Sequence, residues 1–189
     1  MSIIKSITVS ALLTSGVWIY NETKPPKVEQ VIVEVPEAER SFNEYLSESA
    51  RVYGVPETVA AAMVFQESKG QKNAIRFEPG QMDRAKSISK TTGDQLRMYS
   101  SSHCQLQIMG WHTPQYGLTW SDLYNPQTCA ELGMKIMADC MNRHKNKNAL
   151  EKTHQALKCY NGSDEYARGI LNRLGAKLLE QHLQSEMKS

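Results

Sequence analysis

The sequence predicts an all-α domain with little or no β structure, preceded by an N-terminal signal or anchor helix and a linker. Three observations lead there. Apolar residues after residue 36 recur at three- and four-residue spacing, the period of one helix face. Proline, asparagine and glycine stand where such segments start and stop, as at Asn125-Pro126 and Gly162. Strand-like alternation is confined to residues 28–35, which have no evident pairing partner and read as an extended tether. The chain therefore divides into a signal peptide or signal-anchor (1–20), an extended linker (21–36) and a helical domain (37–189).

Composition narrows the function classes. A chain of 189 residues suits one domain plus a tail, and 40% hydrophobic residues suffice for a core. A formal net charge of +2, with both signs interspersed, gives no footprint for nucleic acid. The four cysteines, Cys104, Cys129, Cys140 and Cys159, include no CxxC pair, which argues against a zinc ribbon or a thioredoxin-type site. In an exported protein they allow one or two disulfides, with the pairing open.

Residues 1–20 carry one lysine, Lys5, followed by an uncharged run through Tyr20, the pattern of an export signal. The run is short for a membrane span of roughly 20 apolar residues, and Trp18 and Tyr20 suit a membrane interface. With no small-x-small cleavage site, an uncleaved signal-anchor is expected over a cleaved peptide. Lys24-Pro25-Pro26-Lys27 marks the linker. Pro36 then opens the first helix, with acidic residues near the positive end of its dipole. Phe42, Tyr45, Leu46, Ser49 and Val52 form its inward face, and Gly54 its C-cap. Val55-Pro56-Glu57-Thr58 opens a second helix in the same way. Its run Val59-Ala60-Ala61-Ala62-Met63-Val64-Phe65 reads as buried, and it gives out at Glu67-Ser68-Lys69-Gly70.

Residues 71–100 are polar. Arg76-Phe77-Glu78-Pro79-Gly80 reads as a turn, and residues 83–99 as one or two short helices parted near Thr91-Thr92-Gly93. A stretch this long beside a site either edges a cleft or is a plain insertion. Asn125-Pro126 caps and opens a helix to about Asn142, with Cys129, Leu132, Gly133, Ile136, Met137 and Cys140 inward. A helix from about Ala149 to Cys159 stops at Tyr160-Asn161-Gly162. The last helix runs from about Asp164 to Gln184, with Tyr166, Ile170, Leu174, Leu178 and Leu179 inward.

The first candidate for chemistry is Glu67. Burial against apolar neighbours raises a carboxyl pKa, and a Glu protonated near neutral pH serves as a general acid. A Glu at the polar end of a helix is more often a solvated residue, so its company matters. Four pieces stand in order: Glu67-Ser68-Lys69-Gly70; Arg76-Phe77-Glu78-Pro79; Ser102-His103-Cys104-Gln105-Leu106-Gln107-Ile108-Met109-Gly110; and Ala156-Leu157-Lys158-Cys159-Tyr160-Asn161-Gly162. Together they resemble the lytic transglycosylase family related to soluble lytic transglycosylase and goose-type lysozyme, over about residues 43–175. The Phe-Glu-Pro and Met-Gly variants resemble a branch common in bacteriophage genomes.

The resemblance implies a lysozyme-like fold and cleavage of the β-1,4 bond between N-acetylmuramic acid and N-acetylglucosamine in peptidoglycan, with neither cofactor nor metal. It implies export to the periplasm or cell-wall side, where residues 1–20 are expected to serve as an inner-membrane anchor. A monomer is expected. Glu67 is implied as the catalytic acid and then base, forming 1,6-anhydro ends. Tyr160 is implied to orient Glu67, and Gln107 to contact the sugar or the cleft backbone. Asn161 is expected to cap helix carbonyls in preference to binding substrate, and Ser102 and Met109 to line the cleft. Glu78 is a turn residue, an arginine partner or a second acid. His103 and His112 are expected as solvated loop histidines, since no ligand spacing supports a metal. One departure stands out: the family's glycine falls on Cys104, adding a side chain near the sugar path or at an unusual dihedral. A lysozyme-type hydrolase of the same bond, and a catalytically inactive glycan-binding module, are the alternatives.

Overall fold

The computed structural model describes the backbone of residues 40–186 and the side chains of residues 40–177. The expected signal-anchor and linker, Pro36, and the inward Leu178 and Leu179 lie outside the described residues. Among the described residues, no helix is long and apolar enough to cross a membrane.

Among the described residues, seven α-helices and a small sheet follow in chain order. Helix α1 (Phe42–Tyr53) begins at a capping box, in which Ser41 and Glu44 satisfy each other's backbone N–H groups. The helix therefore starts at Phe42, later than the proline-led start expected from the sequence. Gly54 closes it in the left-handed conformation (φ 68°), as expected. The inward face is Leu46, Ser49 and Ala50, whereas Val52 is 66% exposed. Helix α2 (Glu57–Ser68) is capped by Pro56, which stands one place before the expected N1 position. Its apolar run is not wholly buried: Val59, Ala60, Met63 and Val64 face the core, and Phe65 is 47% exposed. The Arg173 guanidinium covers that ring at 4.3 Å.

The polar stretch after α2 resolves into strand β1 (Ile75–Phe77), a 3₁₀ turn at Pro79–Gln81, and helices α3 (Met82–Ser89) and α4 (Gly93–Tyr99). The two short helices part where the Thr91-Thr92-Gly93 break lies. Strands β2 (Ser101–His103) and β3 (Ile108–Met109) complete an antiparallel sheet of order β1-β2-β3. Strand pairing sets Arg76 opposite Ser102 and Ser102 opposite Met109. Alternate side chains in a strand take opposite faces, so those three residues form one row. His103 and Ile108 take the other face and are buried. After 3₁₀ turns at Gly110–Tyr116 and Trp120–Tyr124 come helices α5 (Pro126–Arg143), α6 (Ala149–Asn161) and α7 (Asp164–Glu186).

Helix α5 is the centre of the core. Asn125 caps it by accepting from the Thr128 N–H at 3.1 Å, and Pro126 stands at its first turn. All six residues expected inward on it are buried. It packs against α1 on one side and α6 on the other, and α6 and α2 in turn pack on α7. Gly133 is required because its Cα faces Leu106: a Cβ there would lie 2.4 Å from Leu106 Cδ1. Leu106 is itself fully buried, so a methyl group at 133 has to displace its side chain within the core.

Overpacking of this kind costs about 1–3 kcal/mol. Gly133→Ala is expected to lower stability by that amount in urea denaturation, and Gly133→Ala with Leu106→Ala to recover part of it.

Candidate active site

The carboxylate of Glu67 stands at the end of α2, at the edge of a cleft of about 590 Å³. The sheet row Arg76, Ser102 and Met109 lines one part of this cleft, α3 and the turn after β3 contribute Arg84, Trp111 and His112, and α5 and α6 contribute Asp139, Tyr160 and Asn161. Of the residues expected at the site, Glu67, Glu78, Ser102, Gln107, Met109, Tyr160 and Asn161 all line this one cleft.

The local sequence after Glu67 explains how α2 ends there. Ser68 is buried, and its hydroxyl donates to the Gln105 carbonyl at 2.8 Å while accepting from the Gly70 N–H at 3.2 Å. Lys69 and Gly70 both take positive φ, 54° and 82°, and turn the chain away. The helix end is thereby fastened to the loop 104–107. That loop is held from other sides as well. The Tyr160 hydroxyl donates to the Leu106 carbonyl at 2.9 Å. Gln107 Nε2 donates to the Ala74 and Cys104 carbonyls at 3.1 and 3.0 Å, and Gln107 Oε1 accepts from the Ser102 hydroxyl at 2.9 Å.

Cys104 adopts φ 60°, the left-handed region that favours glycine. Its side chain is 1% exposed and points into the core, where it forms a disulfide with Cys129 on α5. The departure from the family's glycine therefore keeps the glycine-like backbone and sends the extra atoms away from the cleft. A second disulfide joins Cys140 on α5 to Cys159 on α6. Both are compatible with an oxidising compartment.

Burial pushes the Glu67 carboxyl above the usual carboxylate range; Tyr166, Asn161 and the Arg76 charge favour its ionised form without cancelling that effect. The Tyr166 hydroxyl is buried and closes no hydrogen bond among the described residues. Burial and the facing Glu67 charge raise the pKa values of both Tyr160 and Tyr166. Tyr160 bonds to the loop carbonyl and faces Glu67, and Tyr166, in the core as expected, faces the same carboxylate. Asn161 is the last residue of α6 and faces Glu67; Gly162 (φ 88°) performs the capping. Gln107 contacts the cleft backbone, one of its two expected roles. Glu78 is paired with Arg76 at 2.5 Å.

Two expectations are corrected outright. His103 is fully buried, with its Nε2–H donating to the Met98 carbonyl at 2.8 Å and its ring stacked on Trp120. His112 lines the cleft, and burial, assisted by the Arg84 charge, lowers its pKa to about 4. Neither is a solvated loop histidine: Trp120 and Tyr124 pack on His103, and His112 is half-buried against Trp111 in the cleft wall. Among the described residues, no group of three or more His, Cys, Asp or Glu side chains forms a metal site. Sequence reading missed Arg84, Trp111, Asp139, Arg143 and Tyr166 at the site. A signal existed for two of them: Ile136, Asp139, Cys140 and Arg143 share one face of α5, so charges are interleaved with core positions.

A family model described as the transglycosylase SLT domain matches residues 44–173. No curated protein and no solved structure matches the chain.

Two outcomes follow from this geometry. A carboxyl whose folded pKa is raised above its unfolded value lowers stability as pH rises past that unfolded value, here 4.5. Glu67→Gln is therefore expected to melt at a higher temperature than the wild type at pH 7.5, with the difference vanishing below pH ~4; a lower melting temperature at pH 7.5 would contradict the burial argument. Replacing Cys104 and Cys129 together by serine releases a loop whose ends are 25 residues apart and is expected to cost about 3 kcal/mol in denaturant unfolding.

Proposed function

The chain belongs to the transglycosylase SLT domain family, and from that premise we propose that it is a peptidoglycan lytic transglycosylase in which Glu67 is the catalytic acid and base. The membership supports lytic-transglycosylase-type action on peptidoglycan, and the chemistry of the cleft supports giving the reaction to these residues. The observation that carries the reading is the burial of Glu67, which raises its carboxyl pKa and so favours the protonated form that a general acid needs.

Glu67 donates its proton to the glycosidic oxygen between N-acetylmuramic acid and N-acetylglucosamine as the bond from the muramic anomeric carbon to that oxygen breaks. The N-acetylglucosamine side leaves as an alcohol. The substrate's own N-acetyl group stabilises the positive charge developing at the anomeric carbon. The Glu67 carboxylate then takes the proton of the muramic C6 hydroxyl, whose oxygen bonds to the anomeric carbon and closes the 1,6-anhydro ring. The acid is regenerated and no water is consumed. Asn161 and Tyr166 hold the carboxylate between the two steps by favouring its charged form. The disulfides favour an oxidising compartment outside the cytoplasm, on the cell-wall side.

A hydrolase of the same bond needs a second carboxylate as base or nucleophile. Glu78 and Asp139 line the same cleft. The pairing of Glu78 with Arg76 at 2.5 Å opposes such a role for it. An inactive module is opposed by the inward orientation of Cys104, which leaves the cleft open beside Glu67.

Digestion of purified peptidoglycan, with products read by mass spectrometry, tests the reading. The wild type is expected to release anhydro-muropeptides, and Glu67→Gln to lose at least about 10³-fold in rate, in the upper half of the roughly 10²–10⁴ range typical of removing a general acid, because one group serves both steps. Reducing ends in their place would indicate hydrolysis and direct attention to Glu78 and Asp139.

A further inference from the structure

Arg84 projects from α3 into the cleft and lies over the Trp111 ring at 3.7 Å. A guanidinium carries several N–H donors in one plane, and when it stacks on an aromatic face those donors point outward along its edge. Among the described residues, the Arg84 guanidinium has no carboxylate within 4.0 Å and donates no hydrogen bond, whereas Arg76 in the same cleft is bound by Glu78. The indole N–H of Trp111 is also buried without an acceptor among the described residues. Gln81 and Gln115 line the cleft beside them and can donate from their amides. His112, whose ring centroid is 3.8 Å from that of Trp111, is neutral at pH 7 and offers no counter-charge. Unused donors thus gather in one part of an otherwise mixed cleft.

We infer that Arg84, held flat on Trp111, is a binding subsite for a carboxylate carried on the glycan strand by the peptide stem of muramic acid. The inference rests on peptidoglycan being the substrate. A stacked guanidinium edge matches a planar carboxylate through two parallel N–H···O bonds. An intact strand presents such carboxylates on its peptide stems. A strand stripped of peptide presents a carboxylate too, on the lactyl ether close to the sugar ring, whereas chitin oligosaccharides present none. Peptide stems reach further from the ring than the lactyl group does, which suits a subsite on α3 and the turn after β3, elements separate from the α2 end that carries Glu67. The subsite makes the cleft selective for peptide-bearing strands.

Binding by the full chain carrying Glu67→Gln, which is expected not to turn over its ligand, measures this separately from catalysis. Three soluble probes serve: peptide-bearing glycan strands, amidase-stripped strands and chitin oligosaccharides. Adding Arg84→Met, which keeps cover over Trp111 and removes the donors, is expected to weaken binding of peptide-bearing strands about ten-fold, as for loss of a charge-assisted hydrogen bond. Binding of chitin oligosaccharides is expected to stay unchanged. Arg84→Lys keeps the charge without the fork and is expected to fall between the two. An equal loss on stripped and peptide-bearing strands would overturn the peptide assignment in favour of the lactyl carboxylate. Unchanged binding of all probes by Arg84→Met would overturn the subsite. If no probe binds even before Arg84 is changed, the peptidoglycan reading fails and the inference with it.

Discussion

The loop 104–107 is the constraint on which the site depends. It is a short turn between β2 and β3, closed by the Gln107 N–H donating to the Cys104 carbonyl at 3.2 Å. Both of its ends are non-glycine residues at positive φ, 60° and 47°, a conformation that costs of order 1–3 kcal/mol per residue and survives where surrounding contacts over-determine it. They do so here. The disulfide to Cys129 ties one end to the central helix, Ser68 and Tyr160 take the carbonyls of Gln105 and Leu106, and the Leu106 side chain fills the space left by Gly133. The ties join the loop to three helices, α2, α5 and α6, and together they set where α2 and α6 end relative to it. Those two helix ends carry Glu67, Tyr160 and Asn161.

The electrostatics of the cleft follow from that arrangement. Glu67 is brought in on an apolar helix whose buried residues include Met63 and Val64, so its carboxyl is drawn out of water with it. The polar groups around it come from α6 and α7 and from β1, and they moderate the effect of burial without reversing it. The other acids of the cleft differ in setting. Glu78 is neutralised by its arginine, and Asp139 lies near Tyr116, whose pKa burial raises and the Asp139 charge raises further. Burial thus sets the Glu67 carboxyl apart from the arginine-paired Glu78, an asymmetry of setting that suits acid and base chemistry at one group.

Much of this was legible in the sequence, for physical reasons that differ by element. Helix α5 was readable almost residue by residue, because an Asn-Pro start and a strict inward series leave little freedom. The start of α1 was misplaced because two signals compete, a proline followed by acids and a Ser-x-x-Glu box, and the reciprocal hydrogen bonds of the box define where the helix begins. The exposed Phe65 was unreadable because its cover, Arg173, comes from more than a hundred residues away in sequence. The three strands are too short for a periodicity of two to register. At the site, the motif residues were found by type, while their partners were not. Nothing in the local sequence tells that Tyr160 reaches the Leu106 carbonyl while Tyr166, six residues on in the next helix, is buried facing the carboxylate. Cys104 shows the converse, a residue that looked disruptive in sequence and is accommodated by a bond to a helix it does not neighbour in the chain.

The account turns on the proton held by Glu67. A ¹³C NMR titration of the full chain, following the Glu67 side-chain carboxyl against the other glutamates, measures it directly. The account predicts a midpoint for Glu67 above the ordinary glutamate value of 4.5. A midpoint at or below that value would mean that the surrounding polar groups outweigh burial, and would contradict the claim that this carboxyl is the stored acid of the cleft.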